Sequence, residues 1–124
     1  MPRPKEYELR TAGKYWEDSV NRLSVQEKRI VDDKITNVIK YDPYDSEPLK
    51  GELQGLYSYN KIASGTRIVF AICYECRRRG FTKVNNCADC ESLGNDVAML
   101  FAAGPHSIYD SFGRERRKRL RFRR

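Results

Sequence analysis

The sequence has no stretch approaching the roughly 18 consecutive apolar residues that a bilayer-spanning helix requires, and no internal repeat. The opening Met1-Pro2-Arg3-Pro4-Lys5 is not followed by an apolar run, so nothing reads as a secretory signal. Histidine is nearly absent: His106 stands alone among 124 residues. Charge of one sign is also missing from most of the chain, because residues 1–110 carry sixteen basic and sixteen acidic side chains. The whole formal charge of +7 therefore belongs to Arg114–Arg124, which holds eight basic residues against Glu115. Such a segment suits a polyanion such as nucleic acid, an acidic protein surface, or plain solvation.

The rest of the composition is that of a folded domain, 40% hydrophobic and 11% aromatic. The length fits one domain, read here as residues 1–113, followed by the basic tail 114–124. Four cysteines without an export signal point to a reducing compartment, with the cytoplasm as the expected location and no membrane partner.

Hydrophobic period supplies the elements. Glu6–Arg10 alternates like a short strand, and Trp16, Val20 and Leu23 fall on one face of a helix over about 12–23. Ser24 and Glu27 form a capping box in which each side chain accepts a backbone N–H. The helix that starts there carries a stripe of Val31, Ile35, Val38 and Asp42, flanked by Ile30 and Ile39, and ends before Pro43. Residues 42–56 read as an ordered loop. Leu56–Ile62 and Thr66–Cys73 then read as a hairpin around Ser64-Gly65, and Asp96–Ala103 as one more buried strand, broken by Gly104-Pro105. Ser107–Phe112 suits a short helical turn. The expectation is an α+β domain: an N-terminal helical hairpin packed on a small antiparallel sheet, with an insert at 73–91 between two strands.

That insert holds Cys73, Cys76, Cys87 and Cys90, two CxxC pairs separated by ten residues. A two-residue spacing lets a turn place two thiolates on one tetrahedral edge, and two such turns complete a zinc-ribbon-like site of four cysteines. A closed four-thiolate shell makes the expected zinc structural, not catalytic. Two disulfides or free thiols are the alternatives. The insert also carries Arg77, Arg78, Arg79 and Lys83, which suit phosphate contacts or a solvated loop face.

Two residues invite a chemical reading. His106 follows the last strand, where sheets present functional side chains, and imidazole exchanges protons near neutrality. Arg67 interrupts an apolar strand, which fits either an ion pair with an acid such as Glu52 or Asp96, or an anion site.

Leu49–Tyr57, Ser64–Phe70 and Gly104–Tyr109, in this order behind a helical hairpin, resemble the RelE/ParE superfamily of toxin–antitoxin toxins. The resemblance covers roughly residues 6–72 and 95–112. It implies a microbial protein whose sheet engages RNA, a cognate antitoxin, and cleavage of mRNA in the ribosomal A site by attack of a 2′-OH on the adjacent phosphate, without a catalytic metal. Arg67 matches the strand arginine and would stabilise phosphate charge. His106 matches a histidine of some branches and would transfer protons. Tyr109 matches the terminal aromatic, and Lys61 would add a second cation. The tail residues Arg116, Arg117, Lys118 and Arg119 would hold ribosomal RNA. The chain departs from well-known RelE toxins in lacking alternating basic residues before Arg67, where Tyr59 and Asn60 stand, and in carrying the insert. Two further readings remain: a ParE-like toxin that poisons DNA gyrase, and a non-enzymatic zinc-stabilised nucleic-acid-binding module.

Overall fold

The computed structural model describes residues 6–11, 13–81, 94–110 and 113–114. Five strands make one sheet: β1 (Glu8–Thr11), β2 (Glu47–Pro48), β3 (Tyr57–Tyr59), β4 (Arg67–Ile72) and β5 (Val97–Gly104), in the spatial order β1-β5-β4-β3-β2. Pairing is antiparallel from β5 through β2, as expected, whereas β1 runs parallel to β5. The parallel pair arises because the helical hairpin, α1 (Lys14–Asn21) and α2 (Val25–Lys34), carries the chain away from β1 before the sheet's middle strands form.

Period-two alternation divides the sheet into two faces. Ile68, Phe70 and Ile72 of β4 join Tyr57, Tyr59, Ala98 and Leu100 beneath the helices, where Val31, Ile35 and Ile39 are buried and Trp16 and Val20 pack half-buried. Val69, Ala71, Val97, Met99 and Phe101 face the other way, covered by Leu49, Leu53, Leu56, Ile108 and Tyr109. The loop at 42–56 is thus a second cover, built from two 3-10 turns (Pro43–Asp45 and Gly51–Leu53) around the short β2.

The α2 stripe differs from a plain 3.6-residue period. A π-turn at Ile35–Ile39 continues α2 and brings Val31, Ile35 and Ile39 inward, leaving Ile30 37% exposed and Asp42 at the surface. At its start Ser24 Oγ accepts the Glu27 N–H at 3.1 Å. The Glu27 carboxylate, expected to accept a backbone N–H, instead accepts the hydroxyls of Ser24 at 3.3 Å and of Thr66 at 2.6 Å. The capping residue thereby ties α2 to the entrance of β4. At the other edge Ser19 Oγ accepts the Ala103 N–H at 3.0 Å, a donor beyond the end of β1's ladder.

β4 stops at Ile72. Cys73, expected to end a strand, opens a third helix, α3 (Cys73–Arg79). Glu75 in its first turn and Arg77–Arg79 in its last complement the helix dipole. Gly80 at φ 80° then closes it with a Schellman pair, Gly80 N–H to Arg77 O at 3.3 Å and Phe81 N–H to Cys76 O at 2.9 Å.

Candidate active site

Three local features assemble a polar group on the face opposite the helices. Arg67 opens β4, directly across from Gly104 of β5. Ser58 of β3 projects to the same side, since its register partner Val69 is two residues from Arg67. Residues 105–109 turn back over that face through Ile108 N–H to Pro105 O at 3.0 Å and Tyr109 N–H to His106 O at 3.1 Å. A bulge in β5 between the pairs Val69–Ala102 and Phe70–Leu100 leaves Phe101 unpaired and restores the alternation that lines up Arg67 with Gly104.

Tyr109 is the hub. Its hydroxyl lies 2.6 Å from Ser58 Oγ, its ring stands 5.6 Å under the Arg67 guanidinium carbon, and the His106 ring meets it edge-on at 5.0 Å. Such a cation–π contact is worth about 0.5–1 kcal/mol at an exposed site and more when desolvated. Arg67 is half-buried and donates from Nη1 to Gly65 O at 3.2 Å, while its Nε is shut off from solvent with no hydrogen-bond partner. Among the described residues no carboxylate pairs with it, so neither Glu52 nor Asp96 neutralises the charge. A desolvated cation of this kind favours an incoming anion. His106 itself is exposed.

The turn is seated by a close approach. A Cβ on Gly104 would lie 2.6 Å from Ile108 Cγ2, so the strand has no side chain where the isoleucine packs.

Of the expected catalytic residues, Arg67, His106 and Tyr109 come together. Lys61 does not join them: its Nζ donates to Asp45 Oδ2 at 3.0 Å on the β2 side of the sheet, and that hydrogen bond holds its pKa above the ordinary value. Tyr59 is buried under the helices, on the wrong face to replace a basic residue near Arg67, because strand alternation gives that face to Ser58. Asn60 donates to Glu47 Oε2 at 2.7 Å. Ser58 is thus the member of this polar cluster that sequence reasoning missed. Its alternation with Arg67 across the hairpin was the available signal.

The insert arginines serve local contacts. Arg77 Nη2 donates to Gly94 O and Asn95 Oδ1, each at 2.8 Å, joining α3 to the segment that leads into β5. Arg78 pairs with Glu75 at 2.6 Å and lies over the Tyr74 ring, and Arg79 lies over Phe81. The Arg78 hydrogen bond draws the Glu75 carboxyl below its usual range, and Glu75 also accepts from Tyr44 Oη at 3.0 Å. Burial, reinforced by that carboxylate, pushes the Tyr44 phenol well above its ordinary value. Cys73 and Cys76 lie one turn apart on α3 and are both buried. Cys87, Cys90, Lys83, Arg116, Arg117, Lys118 and Arg119 lie outside the described residues. Among those described, no three His, Cys, Asp or Glu side chains gather as a metal site, and no helix is long and apolar enough to cross a membrane.

The two-cover sheet is the fold of the RelE toxins. The chain is similar to the structure of the toxin–antitoxin complex RelBE2 from Mycobacterium tuberculosis, with a TM-score of 0.57 at 15% identity over 82% of this chain and 99% of that one. It is likewise similar to E. coli toxin RelE in the free state (TM-score 0.57, 16% identity, 93% and 98% covered) and to the intact E. coli RelBE complex (TM-score 0.51, 16% identity, 80% and 95% covered). No protein-family model and no curated protein matches the sequence, so the likeness is one of fold.

Proposed function

We propose that the chain is the toxin of a toxin–antitoxin pair and acts as an endoribonuclease on mRNA in the ribosome. The RelE-like fold supports the toxin reading, and the RelBE complexes among its neighbours support an antitoxin partner. The observation that carries the chemistry is Arg67: a half-buried guanidinium with no carboxylate partner among the described residues, resting on the same ring that the sole histidine touches.

In this reading the 2′-oxygen bonds to phosphorus as the bond to the 5′-oxygen breaks. Arg67 offsets the charge of the pentavalent phosphate. His106, exposed beside it, moves the proton between the 2′-hydroxyl and the departing 5′-oxygen. Tyr109 supports both and presents an aromatic edge to a base. No gyrase-directed role needs a proton-transfer residue here, which sets the ParE-like reading behind this one.

Primer extension on mRNA in a translating extract tests the proposal. Wild type should cut at codon positions, with Arg67→Ala losing about 10²–10³-fold and His106→Ala about 10²–10⁴-fold. Equal association with ribosomes and no cleavage by wild type would replace it with the non-enzymatic binding module.

We propose in addition that Cys73, Cys76, Cys87 and Cys90 hold a structural zinc. The paired spacing and the common burial of Cys73 and Cys76 on one turn support it.

A further inference from the structure

We infer that Ser58 is a positioning residue, whose hydroxyl fixes Tyr109 over Arg67; this rests on the endoribonuclease reading. Ser58 is fully buried, 0% exposed, on a face otherwise made of Leu53, Leu56, Val69, Ala71 and Phe101. A hydroxyl in that setting is unfavourable unless it is satisfied. Among the described residues the one side-chain partner of Ser58 is Tyr109 Oη, at 2.6 Å, fifty-one residues away in sequence. The bond is therefore not a local turn contact. It reaches from the middle of the sheet to a segment that follows the last strand.

The geometry says what that reach accomplishes. Ser58 and Arg67 are diagonal same-face neighbours across the β3–β4 hairpin, a relation that spans about 7–8 Å. One side chain, Tyr109, fills the span: its hydroxyl end is held by Ser58 and its ring is under the guanidinium. Ile108 packs into the space at Gly104, which locates the turn's backbone, and the Tyr109 ring packs on the same face with its hydroxyl end at Ser58. Half-exposed, that ring has water as an alternative partner for its hydroxyl. Ser58 is the group that selects the inward rotamer. With the ring swung out, Arg67 loses its platform and His106 loses the edge it rests on, so both chemical groups shift together.

A positioning role differs from a packing role in being routed through one atom. Ser58→Ala should lower the single-turnover cleavage rate by about tenfold, since small misplacements of reacting groups carry rate costs of this order or greater. The concentration of ribosomes giving half-maximal rate should not change. Ser58→Thr, which keeps the hydroxyl, should recover most of the rate. In a Tyr109→Phe background, Ser58→Ala should cause no further loss, because the two changes remove the same bond. Full activity in Ser58→Ala, or losses that multiply in the double variant, would overturn the assignment.

A second measurement does not depend on cleavage. In NMR spectra of the whole chain, the His106 ring and Arg67 side-chain signals carry the Tyr109 ring current. They should move on Ser58→Ala and stay in place on Ser58→Thr. If they move while wild type cuts no RNA, the positioning stands and the endoribonuclease reading falls. If they stay in place in Ser58→Ala, the positioning falls whatever the activity.

Discussion

Gly104 seats the turn of the candidate site from beneath. Its backbone needs no left-handed conformation, so the requirement for glycine is one of space: a methyl group would intrude to 2.6 Å from Ile108 Cγ2. Gly104→Ala should therefore fold, with a loss of about 1–3 kcal/mol from overpacking, and push Ile108 and the attached His106 and Tyr109 off the sheet. Calorimetry measures the first effect and the primer-extension assay the second. The expected pattern is a fall in cleavage much larger than the fall in thermal midpoint accounts for. At this scale much of the candidate cluster was legible in the sequence. Arg67, His106 and Tyr109 each stand where motif order placed them, and they converge in space. Ser58 was not legible, because a lone serine in a tyrosine-rich strand carries no chemical signal until pairing shows which face it shares. Tyr59 misled for the same reason. It lies one residue from Ser58, and in a strand one residue is the other side of the sheet.

Among the elements, the helical hairpin and the β3–β4 hairpin follow directly from their periods and from the Ser24 cap. The parallel β1–β5 pair could not be read so, since strand partners far apart in sequence leave no local pattern. The π-turn was hidden as well, because Ile35 and Ile39 satisfy a helical period whether or not one residue is added to the turn. The insert begins as a helix because Glu75, the Arg77–Arg79 run and Gly80 are start and stop signals as strong as the CxxC spacing. For the metal proposal this sets a specific expectation. Cys76→Ser should abolish binding of one zinc per chain, measured by atomic emission after gel filtration, and lower the thermal midpoint, because metal binding is coupled to folding. Full stability of the metal-free protein would refute the structural role. Phe81, lying across Gly55 where a Cβ would come within 2.6 Å of its ring, and Arg77, bonded to Gly94 and Asn95, fasten the start of the insert to the body and to the segment that leads into β5.

The whole molecule separates charge from chemistry. The body is formally neutral, and within it Arg77 and Arg78 are engaged by internal partners. The unbalanced charge is at Arg114–Arg124, a sequence segment that begins five residues after Tyr109. On the proposed function, ending the chain after Gly113 should weaken ribosome association and flatten its dependence on salt, since each phosphate neutralised contributes close to one unit of logarithmic slope. Sedimentation with ribosomes at two ionic strengths checks this, and an unchanged slope would assign the tail to another partner.

The sheet order also bears on how such a protein comes into being. β5 is the last of the described strands to be synthesised, yet it lies between β1 and β4 and joins the two ends of the fold. A growing chain that stops before Val97 has β1 without a neighbour and Arg67 facing no Gly104. Non-local pairing of this kind delays folding until the distant segments meet. The cluster of Arg67, Ser58 and Tyr109 therefore comes together only once β5 and the turn that follows it are in place, and a product that ends before Val97 lacks it.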